Sequence, residues 1–252
     1  MRVTVWNENF HESRGEEPAV RWYPAGIHAV IAEALEARLG PTAEVRTATM
    51  EQPEHGLSAE VLGQTDVLLW WAHMRHHEVD DQVVARVVDA VHGGMGLLLL
   101  HSAHISKPFR ALIGSTGALE WRNDGDRELV WTASPAHPIA AGIPHPIVID
   151  DQEVYGEPFD IPAPDDVVFI SSFSGGEAFR SGVTFRRGRG RIFYFSPGDQ
   201  DYPVYHQPEI GDVLANAVRW ATPDGARGVR ESAHRRPVDS SALDRPSDRT
   251  AP

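Results

Sequence analysis

The chain has no cysteine. Disulfides, thiolate metal sites and a thiol nucleophile are therefore excluded at every position. It also lacks a basic excess. Against 36 Asp and Glu stand 23 Lys and Arg, a formal charge of −13. The positive surface that a nucleic-acid backbone requires is missing, so nucleic acid is excluded as a partner. No apolar run approaches the ~20 residues of a membrane span, which excludes a membrane-embedded chain. No leader stands ahead of Met1-Arg2-Val3-Thr4-Val5-Trp6, which reads as a strand at once, and the expectation is a cytoplasmic protein. Internal repeats are absent too.

What is present is enough apolar material for a sizeable core. In 252 residues, 41% are hydrophobic and 22 are Gly, as in an ordinary globular enzyme. The 13 His are the unusual feature, and their positions matter more than their number. Gly93-Gly94-Met95-Gly96 leads into Leu97-Leu98-Leu99-Leu100, then His101-Ser102-Ala103-His104. A short apolar run between breakers predicts a strand buried on both faces. A helix is expected from Ser102, as N-cap, to Ile113, with His104 on nearly the same helical face as His101. Asp66-Val67-Leu68-Leu69-Trp70-Trp71 is a second such run and ends in Ala72-His73. Two buried strands thus deliver imidazole to their carboxyl ends, the edge at which open α/β sheets bind ligands.

The rest of the first half alternates strand and helix. Val3 to Trp6 and Ala43 to Ala48 read as strands. Ile27 to Leu39, Leu57 to Leu62 and Val79 to Val91 read as helices. The expected fold is α/β: a doubly wound, mainly parallel sheet with helices on both faces and right-handed crossovers. Beyond Ile113 the pieces shorten: Leu119 to Trp121, Glu128 to Thr132, Ile147 to Ile149, and then Val167 to Phe173. Gly182 to Phe185 and Arg191 to Ser196 form a hairpin around the basic turn Arg187-Gly188-Arg189-Gly190. Glu209 to Ala221 is a closing helix. One domain over residues 1–222 and a flexible tail over 223–252 follow, because the tail is too poor in apolar residues to pack.

Site candidates come from the carboxyl ends. His101 and His73 are named for the reason above. Asn7 and Glu8 begin the polar loop after the first strand. Tyr23 and His28 bracket Pro24-Ala25-Gly26-Ile27 at a helix start, and Asp199 and His206 lie in the polar loop after the last strand. Glu153, Tyr155 and Glu157 share one face if their segment is extended. The carboxylates Glu153 and Glu157 suit acid/base chemistry if held in a partly dry pocket. Trp71 and Tyr155 offer rings that stack on a sugar. Lys107 could neutralise an oxyanion. Each has a plainer alternative, a satisfied core histidine or a solvated strand face.

Together these motifs resemble the trehalose-utilisation (ThuA-like) family, within the class I glutamine-amidotransferase-like, flavodoxin-like fold. The matching segments are Val5-Trp6-Asn7-Glu8, Tyr23 to His28, Trp70-Trp71-Ala72-His73, Gly96 to His104, Gln152 to Glu157, and Arg191 to Trp220. They span about residues 1–222. The resemblance implies a role in sugar catabolism and, in some members, a divalent metal, with zinc the first choice. Two departures stand out. His101 occupies the elbow where amidotransferase relatives carry Cys, so thiol-dependent glutamine hydrolysis is excluded. Gly198-Asp199 stands where the family has Gly-His, so either Asp199 replaces that His as ligand or base, as a carboxylate can at zinc, or the role is lost here.

Three functions remain open. The first is a metal-assisted enzyme that isomerises, eliminates from or hydrolyses a keto-sugar or an oxidised disaccharide such as oxidised trehalose. Its ion is held by some of His28, His73, His101, His104 and His206, with Glu153, Glu157 or Asp199 as oxygen donors. The second is metal-free acid/base chemistry by His101 and Glu153. The third is a non-catalytic sugar-sensing or partner-binding module. A small sugar is the expected partner, and a homo-oligomer is left open.

Overall fold

Gly96 to Leu100 forms a strand whose four leucines alternate between two separate cores. In the computed structural model, which describes residues 1–225, it is one of nine strands in a single sheet. The elements are β1 (Arg2–Asn7), α1 (Phe10–Ser13), α2 (Ala19–Trp22), α3 (Ile27–Leu39), β2 (Glu44–Thr49), α4 (Ala59–Gly63), β3 (Val67–Trp71), α5 (Asp81–His92), β4 (Gly96–Leu100) and α6 (Lys107–Ile113). Then follow β5 (Glu120–Thr132), β6 (Ile147–Gly156), β7 (Asp166–Phe173), β8 (Ala178–Arg187), β9 (Gly190–Phe195) and α7 (Pro208–Ala221). Leu98 and Leu100 pack with α3 and α7 on one face. Leu97 and Leu99 pack with α4, α5 and α6 on the other. A strand buried on both sides has no polar face to show, which is why the run is unbroken. Among the described residues no helix is long and apolar enough to cross a membrane.

The strand order is β2-β1-β3-β4-β9-β8-β7-β5-β6. The pairings β1–β2, β1–β3, β3–β4 and β4–β9 are parallel. The pairings β8–β9, β7–β8, β5–β7 and β5–β6 are antiparallel. The expected mainly parallel sheet is therefore parallel in one half only. The pieces at Leu119 to Trp121 and Glu128 to Thr132 fuse into the long strand β5, whose register shifts between Arg122 and Glu128. Such bulges bend a strand without ending it, and Gly125, at φ +70°, supplies the left-handed step. The helix expected from Ser102 is split. His101–Ile105 is a single 3-10 turn, and α6 starts afresh at Lys107 with Pro108 in its first turn. Ser102 caps nothing, and its hydroxyl turns to Tyr155.

The bend in β5 matters for the site. From β4 to β6 the sheet order counts five strand spacings, about 24 Å in a flat sheet. Yet the Tyr155 ring of β6 lies 5.0 Å from that of His101, just past β4. The end of the β5–β6 ribbon folds back over the sheet, and the Glu157 amide donates to the Ala178 carbonyl on β8. Arg122 clamps the bend through Asp126 and Glu177. At the other end, Arg191 donates to the Trp220 carbonyl at 2.6 Å and pairs with Asp224, so the packed chain runs past residue 222. The flexible tail expected over 223–252 lies, from residue 226 on, outside the described residues.

Leu98→Ala is expected to cost about 2–5 kcal/mol in urea unfolding, because a fully buried side chain leaves a cavity. Val148→Ala, at a half-exposed position on β6, should stay within about 0.5 kcal/mol of the wild type. Equal losses at both positions would contradict the two-core arrangement.

Candidate active site

β3 and β4 are parallel neighbours with Trp71 opposite Leu100, so the residues after each emerge at the same edge. The His73 and His101 rings lie 5.9 Å apart and nearly perpendicular. His101 is fully buried and has φ +51°, a left-handed backbone that is uncommon outside Gly. Its Nδ1 is 3.0 Å from the Ser196 carbonyl oxygen. Its Nε2 is 3.1 Å from Asp199 Oδ2 and 2.8 Å from Glu153 Oε2. Both ring nitrogens therefore face acceptors, so both carry protons and the ring is an imidazolium. Burial alone would disfavour that charge, but the hydrogen bond to Asp199 and the negative charges of Glu153 and Asp199 prevail and push the ring up to about 10. Burial likewise works against ionised Asp199, yet the hydrogen bond from His101 holds its carboxyl below the usual range.

The Nε2 proton is directed at Asp199. Glu153 Oε2 is close enough for an ion pair but off the N–H axis, and it is a buried oxygen without a hydrogen bond of its own. Tyr155 stacks on His101 with 13° between the rings. The Tyr155 hydroxyl is 2.9 Å from Ser102 Oγ and 3.2 Å from His101 Nε2. His104 Nδ1 donates to the Gly117 carbonyl at 2.6 Å, leaving Nε2 with the lone pair. Burial holds His104 neutral, pushed down to about 4. A cavity of about 330 Å³ opens onto this group, bounded by His73, Ser102, His104, Glu153 and Tyr155. Ile105, Leu119 and Trp121 form its apolar side.

Several sequence candidates turn out to hold the site from behind. Glu8 accepts the Met74 and Arg75 amides at 2.7 and 2.9 Å, fixing the turn that carries His73. Trp71 donates its indole N–H to the Gly198 carbonyl at 3.0 Å, fixing the loop that carries Asp199. Gly198 has φ +126°, and a Cβ there would lie 2.2 Å from the Tyr205 ring. Tyr23 is buried and donates to the Tyr202 carbonyl at the base of that loop.

Other candidates are not brought to the cavity. Asn7 binds Glu12 and His28. His206 meets the Trp22 carbonyl and stacks on Tyr23. Lys107 is tied to the Val79 carbonyl and Asp81. Glu157 pairs with Arg180 and borders a separate cavity of about 480 Å³ with Arg122 and Glu177. The alternation that put it beside Glu153 fails because β6 ends at Gly156.

Three side chains here form a donor set of the kind that divalent cations use. One ring nitrogen of His73 and one oxygen each of Glu153 and Asp199 lie within 4.8 Å of one another. Nitrogen and carboxylate donors suit zinc, and three protein ligands leave a position open for substrate. The unbonded Glu153 Oε2 is the kind of atom such an ion would satisfy. His101, with both nitrogens protonated, has no lone pair to offer in this arrangement. His73 Nδ1 is also held by Gln200.

An α/β protein whose buried acid/base cluster sits where parallel strands end is the class these features define. The trehalose-utilisation model, ThuA, matches residues 2–221, and the chain belongs to that family. Solved structures agree in fold. A ThuA-like protein of Parabacteroides merdae superposes with a TM-score of 0.63 at 13% identity, covering 91% of this chain and 97% of that one. A ThuA-like protein of Bacteroides uniformis gives 0.61 at 14%, covering 88% and 91%. A cytoplasmic protein of Salmonella typhimurium gives 0.56 at 13%, covering 89% and 100%. No curated protein matches the chain.

The site also contains residues that the sequence did not announce, Ser102, Gln200 and Trp121, and Glu128 on β5 lies near enough to feel the His101 charge. Glu128 is fully buried, with Ser171 Oγ donating to one oxygen at 2.5 Å and the other oxygen unpaired. Burial pushes its carboxyl up to about 7, against the pull of the Ser171 hydroxyl and the His101 charge. A raised value means that the folded state holds the proton more tightly than the unfolded chain. Stability should thus fall as pH rises from the ordinary value of 4.5 through about 7. Glu128→Gln keeps an acceptor for Ser171 and removes the titration. Its melting temperature should gain on the wild type between about pH 5 and about pH 8. Parallel melting curves for the two proteins across that range would show that Glu128 does not titrate there.

Proposed function

We propose that this chain is a sugar-catabolism enzyme that moves protons on a keto-sugar or an oxidised disaccharide such as oxidised trehalose. Membership of the trehalose-utilisation family supports the substrate class. The observation that carries the chemistry is the buried imidazolium of His101 between Asp199 and Glu153, with Glu153 also bounding the cavity. One positive ring faces two carboxyl groups, so the site is short of positive charge unless a proton or a cation completes it. Isomerisation, elimination and hydrolysis of a keto-sugar all need a group that takes a proton at one atom and returns it at another.

Glu153 is assigned that role, since its Oε2 is close to His101 yet free of a hydrogen bond. The His101 Nε2–H holds Asp199, and the charge of the ring steadies the negative charge on Glu153. His73, partly open on the cavity wall, is the second proton carrier. Tyr155, tied to Ser102, keeps the His101 ring in place. A divalent cation held by His73, Glu153 and Asp199, zinc by its donor chemistry, would instead polarise a carbonyl or hydroxyl of the sugar; those side chains would then be its ligands, and the proton-carrier roles of Glu153 and His73 belong to the metal-free mechanism. The metal-free reading has its own support, because His101 already neutralises part of the carboxylate charge without a metal. A cytoplasmic location is proposed with this function, as in the name of one structural neighbour. The parallel order β2-β1-β3-β4-β9 supports a flavodoxin-like doubly wound unit extended by an antiparallel half.

Untagged protein tests the assignment. Turnover should appear on a panel of 3-keto-glycosides, and Glu153→Gln should lower it by roughly 100-fold or more. His92→Ala, at the far end of α5, should leave it unchanged. Added Zn²⁺ should raise the melting temperature of the wild type and not that of Asp199→Asn. Turnover without any Zn²⁺ effect would select the metal-free mechanism. Sugar binding without turnover would select a sensing module.

A further inference from the structure

Trp121 is out of place in energetic terms. Among the described large apolar side chains left in solvent it is the most exposed, at 66%, whereas Trp6, Trp70 and Trp71 are buried. It faces Tyr155 across the β5–β6 pair and lines the same cavity. Ile105, also exposed, lines that cavity, and the exposed Met74 directly follows His73. An apolar shelf therefore stands beside a floor of imidazole, hydroxyl and carboxylate.

The ligand that matches both surfaces has an apolar face and a rim of hydroxyls. A closed pyranose ring has both: its axial C–H bonds form a flat apolar face, and its hydroxyls project from the edge. An open-chain sugar has no such face. The charge pattern narrows the class again. None of the residues lining the cavity is Lys or Arg, while Glu153 lines it and Asp199 lies beneath. A sugar phosphate or sugar acid would bring its anion towards those carboxylates with no uncommitted cation to receive it: the His101 ring is buried against Asp199 and Glu153, and Arg122, which shares the adjoining cavity with Trp121, is paired with Asp124, Asp126 and Glu177. The cavity, about 330 Å³, is at the small end of the ~300–1,000 Å³ range of ligand pockets, enough for one ring.

We propose that Trp121 is the stacking platform for the ring of an uncharged pyranoside, and that the site selects closed neutral sugars over phosphorylated, acidic or open-chain ones. This rests on the reading of the cavity as a sugar site. Trp121 holds the ring face while its hydroxyl edge meets Glu153 and His73. It acts on substrate binding and orientation and takes no part in proton transfer.

Calorimetric titration of the full chain with methyl α-D-glucopyranoside, trehalose, glucose 6-phosphate, gluconate and sorbitol tests the proposal. The two neutral pyranosides should bind. The phosphate, the acid and the open-chain polyol should bind at least about tenfold more weakly. Trp121→Ala should weaken pyranoside binding about tenfold, and Trp121→Phe should recover most of it, since a ring face is what matters. Both variants should keep the wild-type melting temperature, because the side chain is largely in solvent. Pyranosides that bind Trp121→Ala as tightly as the wild type would overturn the platform and leave the sugar site standing. Equal binding of glucose 6-phosphate would overturn the neutral-sugar selection. If none of the five ligands binds the wild type, the platform and the neutral-sugar selection fall, while turnover of the 3-keto-glycoside panel decides the sugar-site reading separately.

Discussion

The contact between His101 Nε2 and the two carboxyl groups beside it governs this molecule. Burying one carboxylate is costly, and burying two within reach of each other is more so. His101 makes the arrangement tenable by supplying a proton at each end of its ring, one to Asp199 and one to the Ser196 carbonyl. The left-handed backbone at His101 is part of the same device. A non-glycine residue held there carries strain of about 1–3 kcal/mol, which persists only where surrounding contacts outweigh it. Here four partners surround the ring: Ser196, Asp199, Glu153 and Tyr155.

The second layer is polar and specific. Glu8 directly follows β1, and its carboxylate holds the turn after β3 through two amides. Trp71 ends β3, and its indole holds the loop after β9. Each strand end thus sets the loop that follows another strand, so His73 and Asp199 are positioned by residues remote from them in sequence. This explains why polar and aromatic residues at strand ends, which looked like substrate contacts, act one shell further out. Their side chains are spent on backbone groups and have little left to offer a ligand.

What could be read in advance was whatever depends on neighbours in sequence. Two apolar runs that stop at a histidine imply buried strands with imidazole at one edge, and β3 and β4 are those strands. Residue type alone misled. His28 and His206 are as able to bind zinc as His73, which itself meets Gln200, but their rings are held by Asn7 and by the Trp22 carbonyl, outside the group formed by His73, Glu153 and Asp199. Those engagements depend on contacts across 21 and 184 residues, which no local pattern encodes. The antiparallel half was illegible for a related reason. Asn123-Asp124-Gly125 has the composition of a turn, and only pairing with β6 shows that the strand bends there and continues. Trp121 was hidden by the same bend.

The bend is also what makes a site out of a sheet edge. The parallel strands deliver imidazoles and Asp199, but they contain nothing to cover them. Glu153 and Tyr155 come from the outermost strand, and in a flat sheet they would lie far from β4. Two register shifts and the Arg122 clamp turn the ribbon back, so the edge strand becomes the roof of the site. The roof removes water from the His101 group, which strengthens each electrostatic contact beneath it. It also adds a carboxyl group that the parallel half does not contain, while the same ribbon sets Trp121 at the cavity mouth. The candidate site therefore depends on joining two kinds of sheet. One half supplies a fixed charge at the end of a buried strand, and the other carries a second acid and an apolar surface to meet it.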